Sequence, residues 1–373
     1  MDYQRYSRQM ILPGFGKESQ QKLSQAKVLV IGAGGLGCPA LLYLTAAGLG
    51  KIGLVDFDFV ELSNLHRQVI FTEKDVGRPK ALAAAERLHA RNGQASIIPY
   101  QTSLNPSNAE KLVAEYDLVL DGSDNLATRY LVNDVCALLG KPLIYGAIYR
   151  YEGQVAIFNQ ADTTGKVTQY RDLFPELPDS NQIPNCAEAG VIGLLPGIIG
   201  CLMANEVIKL VTKIGRPLIN QLLTFNALNY ETYIMDIISH PSGNEALPKD
   251  LNELKNRDYG EICPMELTGV VVAEELESFL ANHPEVQLID VREEAETPKL
   301  TAFSYKSFPL SLLEEKMADL AESNSVLVFC QSGIRSAQAA THISKSFPNK
   351  KIFQLKGGIN SWLAFQSHTH EEK

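Results

Sequence analysis

The chain has 373 residues, room for two or three domains, and its 45% apolar and 21% charged composition is that of a protein with full cores. A net charge of -9 excludes electrostatic support for nucleic-acid binding, and the polar start MDYQRYSRQM does not read as a secretory signal. The most apolar run, 191–204, is too short to span a bilayer, and six scattered cysteines without a CxxC pair fit a reduced, cytoplasmic protein.

Residues 1–25 read as a polar helical arm carrying Arg5 and Arg8, broken at Pro13-Gly14-Phe15-Gly16. A buried strand over 28–31 follows, then the glycine turn Gly32-Ala33-Gly34-Gly35-Leu36-Gly37, a helix to about Gly48, and a second buried strand over 52–55. That strand delivers Asp56. Strand, glycine turn, helix, strand and acid make a βαβ unit that binds a nucleotide. Glycines allow the backbone to approach phosphate oxygens, the helix N-terminus offers free N–H groups to them, and Asp56 accepts from ribose hydroxyls. The long connection 58–72 adds Asp58, Asn64, Arg67 and Gln68 as groups that can face the nucleotide.

Gly77-Arg78-Pro79-Lys80 opens a helix to about Arg91, with Pro79 in the first turn where a missing N–H is harmless. A strand over 96–100, a helix around 109–114 and a strand over 117–120 lead into Asp121-Gly122-Ser123-Asp124-Asn125. A helix over 126–139 and a strand near 142–145 complete a doubly wound α/β sheet, whose crevice holds Gly34, Asp56 and Asp124 together. After Gly146 the pattern becomes antiparallel, at 154–158 and 222–237, with an irregular stretch over 162–185 and an apolar helix from Val191 between. Composition marks 241–260 as a linker, which divides the chain into 1–240 and 261–373. The second part reads as a small α/β domain. Its expected helices are 273–281, 311–321 and 336–346, its strands 286–290, 326–329 and 352–355, and its tail after Gln366 reads as frayed.

Arg67, Lys80 and Arg8 supply the charge a triphosphate needs, and Asp124 stands where a magnesium ligand belongs. A nicotinamide-dependent (NAD) oxidoreductase needs the glycine turn and Asp56 but not these cations, and a non-catalytic scaffold docking a ubiquitin-like protein needs none of them. Nucleotidyl transfer needs all, because charge builds on the leaving pyrophosphate. Cys186, ahead of a helix, is either a thiol activated by the helix N-terminus or a packed small residue. Cys330, at a strand end before Gln331-Ser332-Gly333-Ile334-Arg335-Ser336, sits in a loop of the kind whose N–H groups cradle a thiolate or persulfide, with Arg335 adding positive charge.

The motifs RYSRQ, GAGGLG, DFDFVELSNLHRQ, VGRPK, DGSDN and CAEAG, in this order over residues 1–238, resemble the ubiquitin-activating-like adenylyltransferases of molybdopterin and thiamine biosynthesis. The resemblance implies a Rossmann-like sheet with an antiparallel extension and ATP- and Mg2+-dependent adenylation of the Gly-Gly end of a ubiquitin-like sulfur carrier protein. It implies Asp56 on the ribose, Asp124 on magnesium, and Asn64, Arg67 and Lys80 on phosphates, with Arg8 reaching across a homodimer interface. In some relatives the cysteine matching Cys186 takes part in sulfur transfer. Relatives hold a structural zinc with two CxxC pairs, but the matching stretches 169–172 and 240–243 contain no cysteine, so no zinc is expected. LIDVRE, the Cys330 loop and GGINSW resemble a rhodanese, a sulfurtransferase domain, over 262–366, loaded by a persulfide donor such as a cysteine desulfurase. Residues 294–309 depart from that family's pattern.

Overall fold

The structure, a computed structural model, describes residues 4–175, 190–259, 269–293, 295–313, 316–320, 323–347 and 350–371. The chain forms two compact units, Met1–Ile262 and Cys263–Lys373.

The first unit opens with the polar arm, α1 (Ser7–Met10) and α2 (Gly16–Gln25). There follow β1 (Lys27–Ile31), α3 (Gly37–Ala47), β2 (Lys51–Val55), α4 (Lys80–Arg91), β3 (Ser96–Tyr100), α5 (Ala109–Ala114), β4 (Leu118–Asp121), α6 (Leu126–Leu139) and β5 (Leu143–Tyr149). Then come β6 (Glu152–Phe158), α7 (Tyr170–Leu173), α8 (Leu194–Thr212), β7 (Gln221–Asn226) and β8 (Thr232–Asp236). The eight strands form one sheet in the order β3-β2-β1-β4-β5-β6-β7-β8. The first five are parallel and the last three pair antiparallel. Strand β1 is apolar on both sides because both sheet faces are covered. Val28 and Val30 join one apolar cluster with α3 and α8, while Leu29 and Ile31 join another with α5 and α6. The chain reverses its winding between β1 and β4, and there such sheets leave a crevice at the strands' carboxyl ends.

Helix α8 runs further than the apolar run suggests. It has 19 residues and is long and apolar enough, by length and composition, to cross a membrane. Leu195, Ile199, Met203 and Val207, at helical spacing, are nevertheless buried in the first cluster. Glu206 does not end the helix, because its carboxylate accepts the Leu218 N–H at 2.9 Å and pairs with Lys209. The stretch expected as a linker carries α9 (Pro241–Glu245) and α10 (Leu251–Asn256), and Leu254 and Tyr259 from it are buried in the second cluster.

The second unit has β9 (Gly269–Val271), α11 (Leu276–Asn282), β10 (Gln287–Asp290), β11 (Lys306–Ser307), β12 (Ser325–Phe329), α12 (Ile334–Ser346), β13 (Lys351–Leu355) and α13 (Gly358–Glu371). Its sheet, in the order β11-β10-β12-β13-β9, is parallel throughout. The helix expected over 311–321 is replaced by two 3-10 turns, Leu310–Leu312 and Met317–Leu320. The tail expected to fray after Gln366 continues as helix to Glu371.

Candidate active site

Gly32 leaves β1 with φ +89, a backbone conformation open to glycine, and a Cβ there would lie 3.0 Å from the Gly122 carbonyl oxygen. Gly37 is required for another reason. A Cβ on it would meet the Gly32 carbonyl oxygen at 1.9 Å, so α3 packs directly on the turn. Gly34 has no atom within 4 Å of its Cβ direction, which leaves its backbone open to a ligand. Above the turn lies a cavity of about 510 Å³ between the carboxyl ends of β1, β2 and β4.

Gly32, Gly34, Gly35, Asp56, Asp58, Arg67, Gln68, Lys80 and Asp124 all line it. Asp56 follows β2 and accepts the Ala33 N–H at 2.7 Å and the Asp58 N–H at 2.8 Å. Each carboxylate oxygen keeps a lone pair for a ligand hydroxyl. Desolvation in the crevice pushes this carboxyl up to about 6, against the pull of the Lys80 charge. Lys80 opens α4, buried, and its Nζ donates to Asp58 at 2.9 Å. Burial opposes its charge, yet Asp58, Asp56 and Asp124 together hold the ammonium above its ordinary range. Arg67 lies across the glycine turn. Its Cδ would be 3.6 Å from a Cβ on Gly35, and its guanidinium donates to the Ser63 carbonyl. Gln68 lines the cavity, and its side-chain oxygen is buried with no hydrogen-bond partner among the described residues.

Four expected groups are placed differently. Gly37 does not line the cavity, because it packs α3 against the Gly32 carbonyl. Asn64 is buried but does not line the cavity, because its side-chain oxygen accepts the Glu61 N–H in a capping box. Arg8 is exposed on α1 and is absent from the lining of its own chain's cavity. Cys186 lies outside the described residues, although Gly190 and Val191 line the cavity. Arg129 was missed. One turn into α6, it is buried in the wall, donates to the Ser123 carbonyl at 3.0 Å and offsets the burial that raises the Asp121 carboxyl. Its distance of one helical turn from Asn125, the N-cap of α6, was the available signal.

No cluster of three or more metal-ligating side chains occurs among the described residues. Magnesium fits nonetheless, because it is commonly held by one or two carboxylates plus substrate phosphates and waters, and the Asp124 carboxylate lines the cavity over the glycine turn. A four-thiolate zinc does not fit at 169–172 and 240–243. There Asp172 accepts the Gln169 and His240 N–H groups, each at 2.8 Å, and Gln169 donates to Asn244 at 3.1 Å.

In the second unit Cys330 ends β12, fully buried. The Gly333 N–H donates to its Sγ at 3.1 Å and the Ser336 hydroxyl lies 3.6 Å away. Gly333 takes φ +95, which folds the loop back over the sulfur. Arg335 is bound by Glu296 through two parallel hydrogen bonds, the longer 2.7 Å. Arg292, unanticipated, is buried and held by Asp290 at 2.8 Å, the Pro298 carbonyl at 2.8 Å and Gln331 at 3.0 Å.

A family model described as "ThiF family" matches residues 6–246, and one described as "Rhodanese-like domain" matches 272–365. The chain is 41% identical over 368 residues to the probable adenylyltransferase/sulfurtransferase MoeZ of Mycobacterium tuberculosis, covering 96% of this chain and 92% of that one. It is 52% identical to the sulfur carrier protein adenylyltransferase of Thermus thermophilus, over 69% of this chain and 96% of that one. It is 36% identical to the adenylyltransferase and sulfurtransferase MOCS3 of Xenopus laevis, over 97% and 86%. Among solved structures, E. coli MccB with AMPCPP and MccA matches at TM-score 0.56 and 25% identity, over 64% of this chain and 73% of that one. The chain belongs to the ThiF family and carries, C-terminal to it in sequence, a rhodanese-like domain.

Proposed function

We propose that this chain uses ATP to adenylate the C-terminal glycine of a ubiquitin-like sulfur carrier protein and then delivers sulfur to it from a Cys330 persulfide. One observation carries the reading: a single cavity at the winding reversal brings Lys80, Arg67, Asp124 and Asp56 against the glycine turn. The carrier's terminal carboxylate attacks the α-phosphorus of ATP, the bond to the β-phosphate breaks, and pyrophosphate leaves. Lys80 and Arg67 stabilise the charge that builds on it, and Asp56 orients the ribose. Asp124 is the residue that would hold magnesium, whose charge neutralises the triphosphate. Arg8, exposed on α1, is proposed to serve the neighbouring site of a homodimer.

The outer sulfur of the Cys330 persulfide then attacks the acyl carbonyl, and AMP leaves with the electron pair of the C–O bond. A second thiolate attacks the Cys330 sulfur of the resulting acyl disulfide, and the thiocarboxylate leaves with the S–S electron pair. Fusion of both activities in one chain raises the effective concentration of persulfide around a labile adenylate. Carriers of molybdopterin or thiamine synthesis, and a cysteine desulfurase as sulfur donor, are the proposed partners. The test is pyrophosphate exchange in the presence of ATP, Mg2+ and a Gly-Gly-ended carrier, with carrier mass as a second readout. Cys330→Ala is expected to keep exchange within about twofold while losing thiocarboxylate, since only a nucleophile's step is removed. Exchange that does not need the carrier would overturn the reading.

A further inference from the structure

The stretch 294–309 departs from the rhodanese pattern, and the structure gives part of it a place beside the sulfur loop. Glu296 clamps both outer nitrogens of Arg335, the second residue of α12, which also interacts electrostatically with Cys330. Cys330 itself has no exposed surface, whereas the Arg335 and Glu296 side chains are 33% and 31% exposed. The pair therefore forms a charged flank of the loop that solvent reaches. Arg292 offers no substitute, because Asp290, the Pro298 carbonyl and Gln331 already take its donors. An anionic donor approaching Cys330 finds its natural guanidinium partner occupied and a carboxylate beside it.

We propose that Glu296 selects the sulfur donor: by occupying Arg335 it disfavours small oxyanion donors such as thiosulfate and favours a persulfide carried on a thiol. This rests on the reading that Cys330 carries the persulfide. With thiosulfate, the Cys330 thiolate attacks the outer sulfur, the S–S bond breaks, and sulfite leaves with the electron pair. With a thiol persulfide, the same attack releases the donor's thiolate. Only the first route places a dianion against the Glu296 carboxylate. The Arg335 hydrogen bonds hold the Glu296 carboxyl down at about 2, so it stays a carboxylate around neutral pH.

The full-length protein and its Glu296→Gln variant are compared with two donors, thiosulfate and 2-hydroxyethyl persulfide. Cyanide attacks the outer sulfur of the persulfide and leaves as thiocyanate with the Cys330 thiolate freed, so thiocyanate formation gives KM and kcat, and intact mass reports sulfur on Cys330. Pyrophosphate exchange and circular dichroism serve as controls for folding, with Glu296→Ala as a second variant. Glu296→Gln is expected to lower the KM for thiosulfate about fivefold at near-constant kcat, the scale of a part-exposed charge pair, and to leave the hydroxyethyl persulfide parameters unchanged. An unchanged thiosulfate KM, or an equal change for both donors, would overturn the selection by Glu296 while leaving Cys330 as sulfur carrier. Sulfur loaded by neither donor, in either protein, would overturn the persulfide reading and this proposal with it.

Discussion

Asp56 and Lys80 share one crevice with opposite demands. The carboxyl is crowded by protein and pushed up to about 6, while the buried ammonium is kept charged by three carboxylates around it. On the proposal that Asp56 holds the ribose, whose hydroxyls bind best to an ionised carboxylate, the sign is set: protonation as pH falls through about 6 is expected to release nucleotide. ATP affinity is expected to hold from pH 8 to 7 and to fall by up to about tenfold per pH unit well below 6, the limit for a single protonation. Calorimetric titration from pH 8 to 5 checks this. Asp56→Asn should bind ATP more weakly at pH 8 and lose most of the acid limb. An acid limb retained in full by Asp56→Asn would assign it to another group. The place of Asp56 in the cavity wall was legible in the sequence, because a strand end and a preceding glycine turn, both local, set it. Arg129 was not, because a lone arginine in an apolar helix acquires its meaning only when β4 and α6 close around Ser123 and Asp121.

At the scale of elements, α7 and the segment that follows α10 are both tied to α6. Asp134 of α6, fully buried, receives two 2.7 Å hydrogen bonds from Arg171 of α7 and one of 2.8 Å from the Tyr259 hydroxyl. Arg171 also stacks on the Tyr130 ring at 4.7 Å. Breaking such a buried pair by removing one partner leaves an uncompensated charge, so Asp134→Ala should destabilise the first unit by about 3–5 kcal/mol. Urea denaturation read by the near-ultraviolet circular dichroism of the tyrosines measures it, since the single tryptophan, Trp362, belongs to the second unit, and a loss below about 1 kcal/mol would mean that water satisfies Arg171 as well as Asp134 does. Without cysteines at 169–172 and 240–243 no thiolate site can hold these stretches. They are joined instead by the His240 N–H on Asp172 and by Gln169 on Asn244, while Arg171 is anchored on Asp134, and no periodicity encodes such pairings. The mistaken linker has the same cause. Residues 241–260 are polar on average, but Leu254 and Tyr259 find a cavity in the second cluster only after the sheet has formed.

For the whole molecule, the exposed Arg8 makes a prediction about assembly. If each site of a homodimer takes Arg8 from the partner, a dimer of one Arg8→Ala and one Lys80→Ala protomer contains one intact site. Co-expressed in equal amounts, two nearly inactive variants should then recover about a quarter of wild-type exchange, since half the dimers are mixed and each has one good site of two. Recovery at the level of the separate variants would place Arg8 in its own chain's site or outside catalysis. The order of elements was largely readable at this scale, because buried parallel strands alternating with amphipathic helices leave few topologies. The short strands β9 and β11 were not readable. Three and two residues carry no periodicity, and only pairing with β13 and β10 makes them strands.

By itself the sequence determined whatever rests on contiguous backbone: the glycine turn before α3, the acid after β2, and the loop around Cys330 with Gly333 at its bend. These are short-range geometries that local steric rules impose wherever the residues occur. Tertiary structure alone decided the pairings between distant segments, Arg171 with Asp134 and Arg335 with Glu296. The physical reason is that a charge or amide chooses among partners by distance and desolvation, and neither exists until the chain has packed.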